Sequence, residues 1–186
     1  MTRGQKKIGK KVDGRRKGNR YEREIGKKLA LWARDFLIEK GLSPKDYFIR
    51  SPSSGGWNRN HVPGEDLITP PGFAPALELK DRQNWSWVGF LSGKRGKNQV
   101  WGYWDEAVER VGERALWLIF AKNYEPDWLL MKASLFEEIN SDRTMPEDWG
   151  LILFPVREGE AFVLMELDEF LKKVRTPWCY LKGKKQ

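Results

Sequence analysis

The sequence is nearly without cysteine and histidine: it has one of each, Cys179 and His61. A lone cysteine excludes an internal disulfide framework and a cysteine-based zinc cluster. No apolar run approaches the ~18 residues that a membrane-spanning helix needs. The basic N-terminus lacks the apolar stretch of a secretory signal. An intracellular, reducing setting such as the cytoplasm is therefore the expectation, with no membrane partner. There is no internal repeat, no heptad pairing motif and no linker that would divide the chain. His61 lies in a polar loop, where a lone histidine more often serves neither as proton shuttle nor as phosphate contact.

What the sequence does hold is apolar and aromatic mass. Of 186 residues, 40% are apolar and 13% aromatic, enough for a core and too much for a fully disordered chain. The length suits one domain. The formal net charge is +8, and all of it sits in residues 1–20, which carry nine Lys/Arg and one acid. A basic arm without aromatics cannot pack a core and stays solvated, and its natural partner is a polyanion, most often nucleic acid. The expected layout is a flexible basic arm over 1–19, a folded domain over 20–175 and a basic tail over 176–186.

Helical periodicity runs from Arg20 to Lys40, with Ile25, Leu29, Trp32, Phe36 and Leu37 on one face and Gly41 as the stop. Glu22 falls on that inward stripe near the helix start, whereas Glu24 lies off it. A carboxylate on a core-facing side needs a partner or a function, although an acid there also favours the helix dipole. Tyr47–Arg50 reads as a short strand, and 51–63 as a long polar loop. Two strands are expected at Asp66–Ile68 and Ala76–Lys80, an irregular stretch over 81–97, and a helix from Lys97 to Val111. Ala115–Ala121 is a continuous apolar run suited to a central strand. Trp128–Met131, 151–154 and 161–165 read as further strands, and 134–139 and 168–174 as short helices. The order is that of an α/β domain.

One constellation carries chemistry. Alternation along the 76–80 strand puts Glu78 and Lys80 on one face, with Leu77 and Leu79 on the other. Asp66 opens the preceding strand, and Glu22 faces inward from the helix. Carboxylate oxygens hold Mg²⁺, which keeps several waters and takes a phosphate oxygen. The ion lowers the pKa of bound water, and a lysine beside it orients that water or stabilises the charged transition state. Glu-x-Lys alone has little specificity; its position inside an apolar strand directly after a loop gives it more.

These residues resemble a family. Lys17-Gly18-Asn19-Arg20-Tyr21-Glu22-Arg23-Glu24, then Ile49-Arg50-Ser51, then Gly64-Glu65-Asp66-Leu67-Ile68, then Leu77-Glu78-Leu79-Lys80 follow the order seen in archaeal-type Holliday junction resolvases. That family belongs to the PD-(D/E)xK nuclease superfamily, and the resemblance covers residues 17–121. It implies a restriction-endonuclease-like fold: one domain with a central mixed β-sheet flanked by helices. It further implies Mg²⁺-dependent cleavage of branched DNA by a homodimer, with Mn²⁺ as a substitute. Glu22, Asp66 and Glu78 would be metal-binding acids and Lys80 the catalytic lysine. Lys17, Arg20 and Arg50 would contact DNA, with Ser53 or Ser54 in the loop beside the junction.

The pattern also has departures. Glu65 precedes Asp66 where Pro or Val is usual, which makes Glu65 a rival for the metal. The 51–64 loop is long, and so is the chain beyond Pro126. Gln99 and Tyr103 resemble a Gln-x-x-x-Tyr element of exonuclease-like members. Trp85 and Trp87, two of ten tryptophans, either stack on unpaired bases or belong to a core or dimer patch, the second being the commoner fate. A restriction-like or repair nuclease acting on duplex or ends, and a non-catalytic nucleic-acid-binding protein, remain the alternatives.

Overall fold

The computed structural model describes residues 14–51, 65–140, 152–157 and 159–175. Helix α1 (Gly14–Glu39) is followed by a two-stranded antiparallel ribbon, β1 (Ile49–Arg50) and β2 (Leu67–Ile68). Then come β3 (Ala76–Asp81), α2 (Trp87–Leu91), α3 (Val100–Val111), β4 (Leu116–Ala121) and β5 (Trp128–Lys132). The chain continues through α4 (Ala133–Asn140), β6 (Ile152–Arg157), β7 (Glu160–Glu166) and α5 (Leu167–Lys173). Among the described residues, five strands form one mixed sheet in the order β3-β4-β5-β7-β6. Only β3 and β4 run parallel, and α2 and α3 lie in the crossover between them.

Helices cover both faces. On one, Ile25, Leu29, Ala33 and Leu37 of α1 meet Leu77, Leu79, Trp117 and Ile119 of the sheet, together with α4 and α5. On the other, α2 and α3 bury Phe90, Trp101 and Trp104 against Leu118, Phe120 and Phe162. All six residues of β4 are buried, as a strand covered on both faces requires. The α/β class with a mixed sheet flanked by helices is thus as the sequence predicts.

Three local expectations change, and the Trp85/Trp87 alternative falls on the side of the core. Helix α1 begins at Gly14, so residues 14–19, assigned to the arm, are helical. The apolar stripe starts only at Tyr21, but Lys17 Nζ lies 2.9 Å from Asp81 Oδ1 and ties the first turns to the end of β3. The stretch 81–97 is not wholly irregular, because Ser86 caps α2 by accepting the Gly89 N–H at 3.0 Å. Trp85 is core, edge-on to Phe120, and Trp87 packs edge-on between Trp85 and Trp128, so neither offers a free face for stacking on bases. The first strand is shorter than expected, since Phe48 has a positive φ of 54°. That conformation sends the Phe48 ring into the core, edge-on to Phe73, and its carbonyl against Gly26 of α1. Burial of the ring, about 2 kcal/mol, offsets the backbone cost.

The contact makes Gly26 a test of how α1 seats β1. In an exposed helix, Gly→Ala stabilises by about 1 kcal/mol. Here a Cβ would overlap the Phe48 carbonyl oxygen. Gly26→Ala is therefore expected to destabilise by about 2 kcal/mol, read as a lower midpoint in urea unfolding.

Candidate active site

The first turns of α1, the β1–β2 ribbon, the edge of β3 and the last turn of α3 enclose a cleft of about 490 Å³. Its lining includes Glu22, Arg50, Asp66, Lys80 and Arg110. Asp66 is fixed by its own backbone. Its N–H donates to Leu77 O at 3.1 Å, and its carbonyl accepts the Ser51 N–H at 2.9 Å. Its Oδ2 accepts the Leu79 N–H at 2.8 Å. The Asp66 segment thus satisfies part of the free edge of β3 and braces one carboxylate against the strand that carries Glu78 and Lys80.

Glu78 is fully buried, an unusual place for a carboxylate. Its Oε1 lies 2.6 Å from Lys80 Nζ and 2.6 Å from Arg110 Nη2. The Lys80 ammonium also stands over the Tyr103 ring, 5.8 Å from its centroid. Arg110 was not foreseen. It sits in the last turn of α3, and only the crossover of α3 beside β3 brings it to Glu78. Its spacing from Tyr103, two turns along one helix face, is the only trace in the sequence, and nothing there ties it to Glu78.

Glu22 sits where the stripe predicts, mostly buried, with Oε2 2.5 Å from Arg50 Nε. Lys17 and Arg20 are on α1; Arg20 pairs with Glu24 at 2.7 Å on the exposed face. Gln99 is the N-cap residue of α3 with its amide against Gly89 of α2, and Tyr103, one turn on, lies beneath the Lys80 ammonium. Ser53, Ser54 and His61 fall outside the described residues. Glu65 and Asp66, the two rivals, point to different partners. Glu65 is ion-paired with Arg114 and accepts from Thr69 Oγ1 at 3.2 Å, while Asp66 lines the cleft. Arg114 also donates to the Pro75 carbonyl at 3.3 Å, so the Glu65 pair is a structural tie beneath the site.

The donors fit a hard divalent cation. Burial, and next the Glu78 carboxylate, push the Asp66 carboxyl up to about 7. Glu78 Oε2 is buried and makes no hydrogen bond among the described residues. A cation bound to both acids would relieve their repulsion and satisfy that oxygen. Among the described residues, no three acids stand together in a ligating group, and Glu22 is turned to Arg50.

Comparisons with known proteins bear on this arrangement. No curated protein and no solved structure matches the chain. Residues 13–180 match the family described as "Phage putative PDDEXK endonuclease". That span takes in α1, the ribbon, the whole sheet and every cleft residue named above, so the chain belongs to this phage PDDEXK endonuclease family, within the PD-(D/E)xK nucleases.

Proposed function

We propose that the protein is a Mg²⁺-dependent endonuclease that resolves four-way DNA junctions by phosphodiester hydrolysis. The observation that carries this reading is that Asp66 and Lys80 line one cleft with Arg50 and Arg110, while Glu78, buried beside it, pairs with both Lys80 and Arg110 at 2.6 Å. PD-(D/E)xK nucleases typically use divalent metals; Mg²⁺, with Mn²⁺ as substitute, suits an all-oxygen donor set. Asp66 and Glu78 would hold the ion, which when bound acidifies a water and offsets charge on the phosphoryl group. Glu22 would join them if the Arg50 guanidinium moved from it to a phosphate.

The protein's own groups do the rest. Lys80, fixed by Glu78, aims its ammonium where an attacking water is oriented and where negative charge builds on the phosphate. Arg50 and Arg110 each pair with a carboxylate, Glu22 and Glu78. Both line the cleft, and their guanidinium forks match phosphate oxygens. The basic N-terminal residues supply contacts to the backbone that are independent of sequence. Preference for a junction rests on the resemblance of the Lys17–Glu24 segment to archaeal-type resolvases. A homodimer belongs to the same reading, since paired cuts across a symmetric branch call for two clefts related by a two-fold axis.

A gel assay tests this directly. A labelled four-way junction and a linear duplex of matching arm sequence are each offered with Mg²⁺ and with EDTA. The expected result is paired, symmetric cuts near the branch, dependent on Mg²⁺ and absent from the duplex. Equal cutting of the duplex would replace junction resolution with a restriction-like or repair activity. Tight binding without cutting would leave a nucleic-acid-binding protein whose acids and Lys80 only pair with one another.

A further inference from the structure

We propose that Tyr124, at the tip of the β4–β5 turn, is a stacking platform for a base whose face is open at the branch point of the DNA substrate. The inference rests on the branched-DNA reading above. Two non-glycine residues among those described have a positive φ, Phe48 and Tyr124. For Phe48, a buried ring offsets the cost. Tyr124 has a φ of 64° and a relative exposure of 105%, so its ring gains nothing from the rest of the chain. The turn is closed by the Glu125 N–H donating to Lys122 O at 3.0 Å, which makes Tyr124 the third residue, a place suited to Gly or Asn. A large aromatic held out in a disfavoured conformation points to a partner outside the chain.

The surroundings say which partner. Tyr124 lines a second cleft, of about 450 Å³, together with Lys17 and Arg20, each paired with an acid of the same lining, Asp81 and Glu24. That cleft shares Tyr21 and Asp81 with the catalytic one, so a strand leaving one enters the other. The turn is not loose: the Gln83 amide, oriented by its donors, accepts the Asn123 N–H at 2.9 Å and Lys17 Nζ at 3.0 Å. Lys122 adds a positive charge at the base of the turn, 5.7 Å above the Trp85 ring. In the parallel β3–β4 register Asp81 pairs with Ala121, and Tyr124 lies three residues further, within about 11 Å. A phenol face accepts any base, but only one whose own face is open. A branch point supplies such a base, and an intact duplex does not.

The test uses the full chain in EDTA, so that binding is read without cutting. The probes are a four-way junction and a linear duplex, each with 2-aminopurine, next to the branch point in the first. Wild type and Tyr124→Phe are expected to change the junction's fluorescence equally. Tyr124→Gly is expected to abolish that change and weaken junction binding about tenfold, with duplex binding within about twofold. Tyr124→Gly is also expected to raise Tm by about 2–4 °C, so lost binding cannot be ascribed to misfolding. Unchanged junction binding by Tyr124→Gly would overturn the platform. So would loss of the signal in Tyr124→Phe, or an equal signal from the duplex. A parallel cutting assay with Mg²⁺ separates the two readings. A Tyr124-dependent signal without cutting keeps the platform and removes the nuclease reading. Junction cutting with a signal indifferent to Tyr124→Gly does the reverse.

Discussion

Asp66→Asn is expected to slow DNA cutting by about 10³-fold or more while making the metal-free protein more stable. The two effects have one origin. A carboxylate enclosed beside Glu78 costs free energy until a cation joins it, and hydrolysis needs that cation. Asn keeps the oxygen that accepts the Leu79 N–H and removes the charge. The sign of the pH dependence follows from the raised pKa. Folded, metal-free protein keeps the Asp66 proton up to about pH 7, whereas the unfolded chain releases it near 3.8. The folded state therefore holds more protons across that window, and stability falls as pH rises through it. At pH 8 the variant should exceed the wild type by a few kcal/mol, roughly 5–10 °C in Tm, and it should lose the slope between pH 4 and 7. Calorimetry across pH, with and without Mn²⁺, reads all of this. A variant that is less stable than wild type at pH 8 and still cuts would remove Asp66 from the metal site.

Glu65→Ala is expected to show the opposite pattern. Glu65 is buried, and its removal leaves the half-buried Arg114 guanidinium with carbonyl partners but no counter-charge. The expected cost is about 3 kcal/mol, a Tm lower by roughly 6–12 °C. Cutting measured well below that temperature should stay within about threefold of wild type. Neighbouring acids would then be separated by function: one tolerated for stability and needed for chemistry, the other the reverse. If Glu65→Ala kept its Tm and lost cutting, the two assignments would exchange.

Much of this arrangement was legible in the residues. The apolar stripe of α1 and the unbroken run of β4 announce their elements, because burial on one face or on two leaves an unmistakable pattern. Alternation along β3 sets Glu78 and Lys80 on the same side, and the ion pair between them shows it. Other features depend on information that no local window carries. Helix α2 is too short for its period to register, and its cap lies amid aromatics that read as irregular. The first turns of α1 have no apolar stripe, yet Lys17 finds Asp81 across the fold. Adjacent residues on an extended segment point opposite ways, but the sequence does not say which of Glu65 and Asp66 points inward. Arg110 reaches Glu78 only because a parallel pairing forces a crossover of helices between the two strands.

That crossover also sets an order of events during synthesis. Strand β3 carries two of the site's charged residues, but its lateral partner β4 emerges only after both intervening helices have been made. Until then Glu78 lacks the neighbouring strand that buries it, and α3, which carries its arginine partner, has no completed sheet to pack on. The acids on the earlier segments are by then long exposed, without the framework that would hold them together. A partly made chain therefore lacks the arrangement on which the proposed cutting depends until β4 docks. For an enzyme that attacks the polymer of heredity, a site assembled from distant stretches of sequence keeps incomplete copies harmless.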